Sequence, residues 1–379
     1  MTGHERFSDI RPYRDDEVGP AMEEIRRSPI LDFLRVGFPF SSPEVLMARM
    51  DGIDSVEKFQ KRVMTVGVSY LIKTTTDGVT ASGLERLLPD RRHTFISNHR
   101  DIVLDSTFLA RATSRHCGHT MQMAIGDNLI KTDWLTHLFK INKTVIVKRG
   151  LSKKSLMESS QRLSDYIHRL IKGGHDSFWI AQGEGRAKDG NDFTQSGLIK
   201  MLALAGDKGR LNHLRDLDLV PISISYEYDP CDLAKATERL AIKKTGSYTK
   251  ETKEDLANIA LGLTGYKGRV HTEIGAITCW DSIMEADTRR ERFARLIVAL
   301  DHQIIGNYRL WPSHYIALDL LRDRSDHAGE YSVEERSKFE KRLVELLAGN
   351  PDADEPRELI LEMYANPVIN KQKLLEGTR

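Results

Sequence analysis

From about residue 90 to residue 280, the chain alternates short runs of β-forming residues with longer runs of helical periodicity. The β-type runs occupy residues 94–96, 120–125, 144–147, 177–181, 219–225 and 269–277. Helical patterns separate the runs, most clearly over 151–171, where apolar residues recur on one face. Because parallel strands must be joined by crossover connections, usually helices, this alternation predicts an α/β fold with a largely parallel central sheet flanked by helices.

Both ends of the chain lack the alternating pattern and carry helical periodicity with polar breaks. We therefore predict three parts: a helical N-terminal region over 1–85, an α/β domain over 86–283, and a helical C-terminal extension over 284–379.

The charges of the chain nearly cancel, with 56 basic and 55 acidic residues and a net charge of +1. No global field therefore favours nucleic acid, and we expect no nucleic-acid partner. Three widely spaced cysteines favour a reducing, cytoplasmic compartment over a disulfide framework. The first twenty residues are charged throughout, so no secretory signal is expected, and no stretch reaches the roughly 18 apolar residues that span a bilayer.

A polar cluster follows the predicted strand at 94–96. It contains Asn98, His99, Arg100, Asp101 and Asp105. In open α/β sheets, ligands bind beyond the carboxyl ends of strands, and a histidine there can accept a proton from a hydroxyl at neutral pH. One of the two aspartates can hold the ring and stabilise its charged form. The alternative is a solvated turn in which Asp105 caps the next helix.

Two more polar groups follow predicted strands. Lys148 and Arg149 come directly after the strand at 144–147, where two cations can bind a phosphate. Glu184, Gly185 and Arg186 follow the strand at 177–181, and the glycine there lets the backbone approach a ligand closely. The alternatives are an exposed basic turn and a glycine turn with a surface ion pair. His116-Cys117-Gly118-His119 has no matching second pair, so no metal site is predicted.

In order, these blocks resemble the glycerolipid acyltransferase superfamily (the PlsC-like domain), which includes glycerol-3-phosphate and 1-acylglycerol-3-phosphate acyltransferases. The resemblance spans about residues 90–280 and also includes an apolar strand with Val220-Pro221. His99 matches the histidine of the family's H-x4-D motif, but Asp105 lies six positions on, where the family has five. Asp105 is the preferred partner of His99, and Asp101 is the alternative.

The resemblance implies an enzyme that moves a fatty acyl chain from acyl-CoA or acyl carrier protein to the hydroxyl of a glycerol-3-phosphate-type or lysophospholipid acceptor. It implies that His99 is the general base and that Arg149 binds the acceptor phosphate. No cofactor or metal is expected. The alternatives are a thioesterase or other hydrolase on the same fold, and a non-catalytic lipid-binding protein.

The remaining expectations concern substrate contacts and location. They place the protein in the cytoplasm, peripherally on the membrane surface. The residues expected to contact substrate are Asn98, Arg100, Lys148, Arg149, Glu184, Gly185 and Arg186.

Overall fold

The structure is a computed structural model of the chain that describes residues 5–28, 43–206, 211–251, 253–349 and 353–377. Within these ranges, the fold is a mixed α/β architecture built on a seven-stranded sheet. The strands are β1 Gly78–Ser82, β2 Thr94–Ser97, β3 Met121–Gly126, β4 Thr144–Val147, β5 Ser177–Ala181, β6 Leu219–Tyr226 and β7 Arg269–Ile274.

Helices precede, connect and follow the strands. Those before β1 are α1 Asp15–Arg27, α2 Pro43–Met50, α3 Val56–Phe59 and α4 Thr65–Thr75, with the π-helical turn Gln60–Met64 between the last two. Those between β2 and β7 are α5 Leu104–Cys117, α6 Asp133–Ile141, α7 Lys153–Lys172, α8 Ser196–Leu202, α9 Asn212–Asp216, α10 Asp232–Thr245 and α11 Glu254–Thr264. Those after β7 are α12 Trp280–Met284, α13 Arg289–Gly306, α14 Pro312–Arg322, α15 Val333–Leu347 and α16 Asp354–Leu375.

The strand order across the sheet is β1-β7-β6-β2-β5-β3-β4. All neighbouring pairs are parallel except β6 and β7, which run antiparallel with Ile222 opposite Ile274. The prediction of a largely parallel sheet is therefore confirmed. Five strands, from β6 to β4, run in one direction, so their carboxyl ends meet at one edge.

The central strands are buried on both faces, as expected for a parallel sheet covered by helices. Phe95 in β2 packs into a core with α5, and the next residue, Ile96, packs into a separate core with α7 and α13. All eight residues of β6 are buried. The apolar runs seen in the sequence are thus the middle of the sheet, and the polar residues that follow them emerge at its edge.

Strand β1 corrects the expectation that the chain is helical before residue 86. Among the residues that the structure describes, its five residues pair with β7 alone, and none of the five is buried. An edge strand this short needs little apolar patterning because one side of it faces solvent. Val79 is the only large apolar residue in the run, so nothing in the local pattern indicated a strand.

The C-terminal helices reach the same edge of the sheet as the predicted site. In α16, the Asn366 side chain donates to the Asp189 carbonyl (2.6 Å), and Asn370 bonds Asn191 (2.9 Å). Both contacts hold the loop that follows β5. The boundaries at 85/86 and 283/284 remain predictions. Across the described ranges, no helix is long and apolar enough to cross a membrane.

Candidate active site

His99 lies just beyond the carboxyl end of β2, where the chain leaves the sheet before entering α5. Its Nδ1 lies 2.9 Å from Oδ2 of Asp105. The Asp105 side chain is fully buried, whereas the His99 ring is 16% exposed. Because a carboxylate can only accept hydrogen bonds, Nδ1 carries the proton, and Nε2 is the basic nitrogen left to face the surroundings.

Asp105 is fixed by several donors besides His99. Its Oδ2 accepts from the backbone amides of Arg100 (2.6 Å) and Asp101 (3.0 Å), and its Oδ1 accepts from the Tyr226 hydroxyl (2.8 Å). Burial, and then the negative charge of Asp105, raise the pKa of Tyr226 well above its usual range, so the phenol stays a donor. These bonds satisfy a buried charge and set the orientation of the imidazole.

Asp101, the alternative partner of His99, has a different position. Its Oδ1 accepts from the backbone amides of Val103 (2.9 Å) and Leu104 (2.8 Å), which caps the start of α5. Burial, followed by the charge of Asp105, raises the pKa of Asp101. The six-residue spacing thus places Asp105 against the histidine, while Asp101 serves the helix.

Asn98 and Arg100, two of the residues expected to contact substrate, are buried and bonded to other groups of the protein. Asn98 is fully buried, and its amide bonds both the carbonyl (2.9 Å) and the amide (2.8 Å) of Ile224. It thereby fastens the end of β2 to β6. Arg100 is 6% exposed, forms an ion pair with Asp192, and lies over the Tyr308 ring. Their hydrogen bonds explain both positions, because buried polar groups need partners.

A cavity of about 260 Å³, the His99 cavity, opens beside the histidine at the edge of the sheet. Most of its wall is the loop that follows β5, which supplies every lining residue from Gln182 to Asp189. The loop is tied to the histidine itself, because the Ala187 amide donates to the His99 carbonyl at 2.8 Å. Gly185 adopts a φ of +75°, a conformation that favours glycine, at the point where the loop reverses.

Arg149 does not itself line this cavity but pairs with a residue that does, a position that we call the rim. Its Nη1 is 3.2 Å from Oε1 of Glu184, which lines the cavity and is 72% exposed. The Arg149 side chain crosses closely over Gly126 at the end of β3, where an added Cβ would lie 2.5 Å from the Arg149 Nε. The Arg149 backbone amide donates to Asp127 at 3.1 Å. Glycine at 126 therefore gives the arginine its path to the rim.

Arg186 also lines the His99 cavity, but it is held from beneath by buried groups. Burial opposes its charge, but Cys231, Asp101 and Asp229 together raise the pKa of Arg186 above its ordinary value. Its Nη1 is buried and has no hydrogen-bond partner among the described residues. A guanidinium nitrogen left without an acceptor beside a cavity can bind an anionic ligand.

Lys148 is not brought to this site, contrary to the expectation from its neighbour. It lines a separate cavity with Asp9, Ile146 and Arg162. Successive residues leaving a strand point to opposite sides, so Arg149 and Lys148 diverge. The basic pair in the sequence therefore supplies one residue to the candidate site.

Two cations of the cavity were missed by sequence reasoning. Lys188 lies two residues beyond Arg186 and pairs with Glu238. Arg239, from α10, pairs with Glu362 at 2.6 Å. The sequence could have indicated Lys188, since it follows the same glycine-containing loop as Arg186. Nothing in the sequence indicated Arg239, because only the packing of α10 against the loop brings it there.

Fold and site together define a class: an α/β protein with a histidine–aspartate pair at the carboxyl edge of a parallel sheet, beside a polar cavity with several cations. Among solved structures, the chain is similar to the 1-acyl-sn-glycerophosphate (LPA) acyltransferase PlsC from Thermotoga maritima. The TM-score is 0.35 with 13% identity, over 75% of this chain and 92% of that chain. No family model matches the sequence, and no curated protein matches it. Because overlap at this level assigns no function, the chemistry has to follow from the site residues.

Proposed function

We propose that this protein is an acyltransferase that moves a fatty acyl chain from a thioester carrier to the hydroxyl of a phosphate-bearing glycerol-type acceptor. The observation that carries the proposal is the His99–Asp105 pair: Nδ1 is bonded to a buried, fully satisfied carboxylate, and the ring lines an open cavity. This arrangement gives a hydroxyl-activating base whose charged form is stabilised.

In the proposed reaction, Nε2 of His99 takes the proton of the acceptor hydroxyl as its oxygen attacks the thioester carbonyl. A new C–O bond forms, the C–S bond breaks, and the thiolate leaves with the proton from the imidazolium. Asp105 keeps its negative charge throughout and stabilises the imidazolium. Such proton transfer contributes roughly 10²–10⁴-fold, and holding both reactants in place contributes more.

The cavity is lined by the cations Arg186, Lys188 and Arg239 and by the carboxylates Glu184, Asp189 and Asp192, and this polar wall suits the acceptor's head group better than an acyl chain. Arg149 at the rim and the free Nη1 of Arg186 are the groups that would bind phosphate oxygens, with Lys188 and Arg239 adding positive charge. Phe193 lines the cavity with 49% of its surface exposed, which offers apolar contact to an acyl chain.

The proposal includes a carrier, either CoA or acyl carrier protein, and a peripheral position on the cytoplasmic side of a membrane, where lipid acceptors are found. It requires no metal or redox cofactor, because the histidine supplies the base and the carrier supplies the activated acyl group.

The test is product analysis by mass with purified protein. Acyl-CoA and acyl carrier protein thioesters are offered with glycerol 3-phosphate, its monoacyl form, and unphosphorylated glycerol. We expect an ester product that requires a phosphorylated acceptor and that is lost in a folded His99→Gln variant. Free fatty acid formed equally with and without acceptor would instead establish a thioesterase. If no combination of donor and acceptor yields an ester or a free fatty acid, the non-catalytic lipid-binding alternative is favoured.

A further inference from the structure

A second cavity, of about 300 Å³, lies between helix α5 and the outer strands β1 and β7. None of its lining residues lines the His99 cavity. Its apolar wall comes from Val79, Ala81, Leu84, Phe108 and Ala112. We call it the α5 cavity.

Small side chains create this space. Ala81 on β1 and Ala112 on α5 both line the cavity, and larger residues at these positions would fill it. On β7, Thr272 stands between Val270 and Ile274, whose side chains belong to the core on that face of the sheet. A hydroxyl therefore takes the place of an apolar group on the core-facing side of β7, where it lines the cavity.

The Thr272 hydroxyl is an independent sign of a ligand. Thr272 is 1% exposed, and its Oγ1 has no hydrogen-bond partner among the described residues. An unpaired buried hydroxyl destabilises the fold, so most buried hydroxyls have a hydrogen-bond partner. An oxygen acceptor on a bound molecule would satisfy it.

The rim of the α5 cavity is basic. Arg111, Arg115 and His116 line it, and the two arginines stand one helical turn apart, where like charges repel. Burial and the charge of Arg115 lower the pKa of Arg111. Within the described ranges, none of the three forms an ion pair with a carboxylate, and Arg111 donates one long hydrogen bond, of 3.4 Å, to the Ser69 hydroxyl. An anion at this rim would relieve that repulsion.

We propose that the α5 cavity binds an anionic amphiphile: an aliphatic body in the apolar cleft, an oxygen acceptor at Thr272, and a carboxylate or phosphate head at the arginine rim. This site is additional to the proposed catalytic site and does not depend on it. Phe108, which lines the cavity, packs against Tyr226 with ring centroids 6.2 Å apart, and Tyr226 donates to Asp105. A ligand here therefore lies one side chain away from the network that orients His99.

Calorimetric titration with decyl phosphate, below its micelle concentration, tests the site. The wild-type chain should bind it saturably, and Arg111→Gln with Arg115→Gln should weaken binding at least tenfold. Ala112→Leu fills the cavity and should abolish binding, while Thr272→Val should weaken it several-fold. Arg290→Gln, an exposed arginine on α13, is the matched charge control and should bind like wild type.

Two comparisons separate binding at the α5 cavity from binding at the His99 cavity and from nonspecific adsorption. Arg149→Gln alters the rim of the His99 cavity. Binding that survives in this variant but is lost in the Arg111→Gln, Arg115→Gln double variant therefore takes place at the α5 cavity. Decanoate, decyl phosphate and inorganic phosphate distinguish a fatty acid, a lipid phosphate and a free anion as the source of the ligand. The proposal would be overturned if the cation decyltrimethylammonium bound as tightly as decyl phosphate. It would also be overturned if neither the Arg111→Gln, Arg115→Gln double variant nor Ala112→Leu changed the binding of decyl phosphate. If Ala112→Leu does not fold by circular dichroism, the double variant decides.

Discussion

At the residue scale, one buried carboxylate sets the state of the histidine beside it. Asp105 accepts from a ring nitrogen, a phenol and two backbone amides, so it has no unpaired oxygen and a fixed direction. His327 has a similar pattern, with Nδ1 2.8 Å from Asp319 and Tyr331 donating to the same carboxylate. There, the carboxylate also accepts from the His327 backbone amide and ties a loop to α14. A histidine–aspartate pair alone therefore does not define an active site. The cavity at the edge of the sheet distinguishes His99 from His327.

We expect Asp105→Asn to lower kcat/KM by roughly 10²–10⁴-fold, since the amide cannot stabilise an imidazolium and can favour the wrong tautomer. Asp101→Asn is the matched control, because asparagine still caps α5 and does not touch the ring. Steady-state kinetics on both folded variants measures the difference. A larger loss of kcat/KM in Asp101→Asn would show that Asp101, and not Asp105, is the partner of His99.

A second prediction at this scale concerns Lys267, which is fully buried and donates to the Gly265 carbonyl (2.6 Å) and the Thr75 hydroxyl (3.0 Å). Burial lowers its pKa from 10.5 to about 8. Between these pH values, the unfolded chain holds a proton that the folded chain has lost, so this group makes stability rise with pH. Below pH 8, both states are charged, and the penalty is constant.

Relative to Lys267→Met, the wild-type chain should therefore gain roughly 2–3 kcal/mol of unfolding free energy from pH 8 to pH 10.5. Urea unfolding of both proteins across this interval measures the gain, and the subtraction removes every other titrating group. Parallel curves would show that the lysine titrates alike in the folded and unfolded chains, as a solvated lysine would.

At the element scale, the site is made where strands end. The loop after β5 is held from several sides: its Thr194 amide donates to Asp301 of α13 at 2.7 Å, and Gly190 packs under Met363 of α16. At Gly190, φ is +80° and an added Cβ would lie 2.2 Å from the Met363 carbonyl oxygen, so only glycine fits. Elements far apart in sequence thus fix the wall of one cavity.

The end of β3 provides a test of the rim. Gly126→Ala should push the side chains of Asn128 and Arg149 aside without changing any charge, because the new Cβ meets these side-chain atoms and not backbone. Under the proposed function, the acceptor KM should rise roughly tenfold, as for loss of one charge-assisted contact, while the KM for the acyl carrier stays constant. Arg149→Gln should match this result. A change confined to the carrier KM would place the carrier's phosphates at this rim.

At the scale of the whole molecule, the net charge is +1, so electrostatic attraction to a membrane depends on local patches of charge. One such patch lies at the start of α7, where Lys153 and Lys154 stand beside three large apolar side chains, of Leu151, Leu156 and Met157, that are 38%, 48% and 59% exposed. This segment follows β4, so it lies at the same edge as the candidate site. Together, these residues suit an anionic bilayer surface.

We therefore expect the protein to sediment with anionic vesicles and to be released by high salt or alkaline carbonate. Lys153→Glu with Lys154→Glu should weaken vesicle binding at least tenfold, since each lysine near such a surface contributes about 1 kcal/mol. Lys341→Glu, on the exposed face of α15, serves as the charge control. Protein extractable only by detergent would contradict a peripheral attachment.

The sequence by itself determined six of the seven strands and the positions at which polar residues follow them, because buried strands need continuous apolar runs and local chemistry marks where the runs stop. It also indicated His99, Arg149, Glu184 and Arg186 as site residues, since each lies within five residues of the end of such a run. Tertiary structure decided the rest. Which groups contact each other depends on distance in space, which the sequence does not give. Only the folded chain places Asp105 beside His99 and buries Asn98 and Arg100. It also places Lys148 at another cavity and Arg239, from α10, at the His99 cavity. Edge strand β1 likewise exists only because β7 is there to pair with it, and a segment of five half-exposed residues carries no pattern that could reveal a partner about 190 residues away.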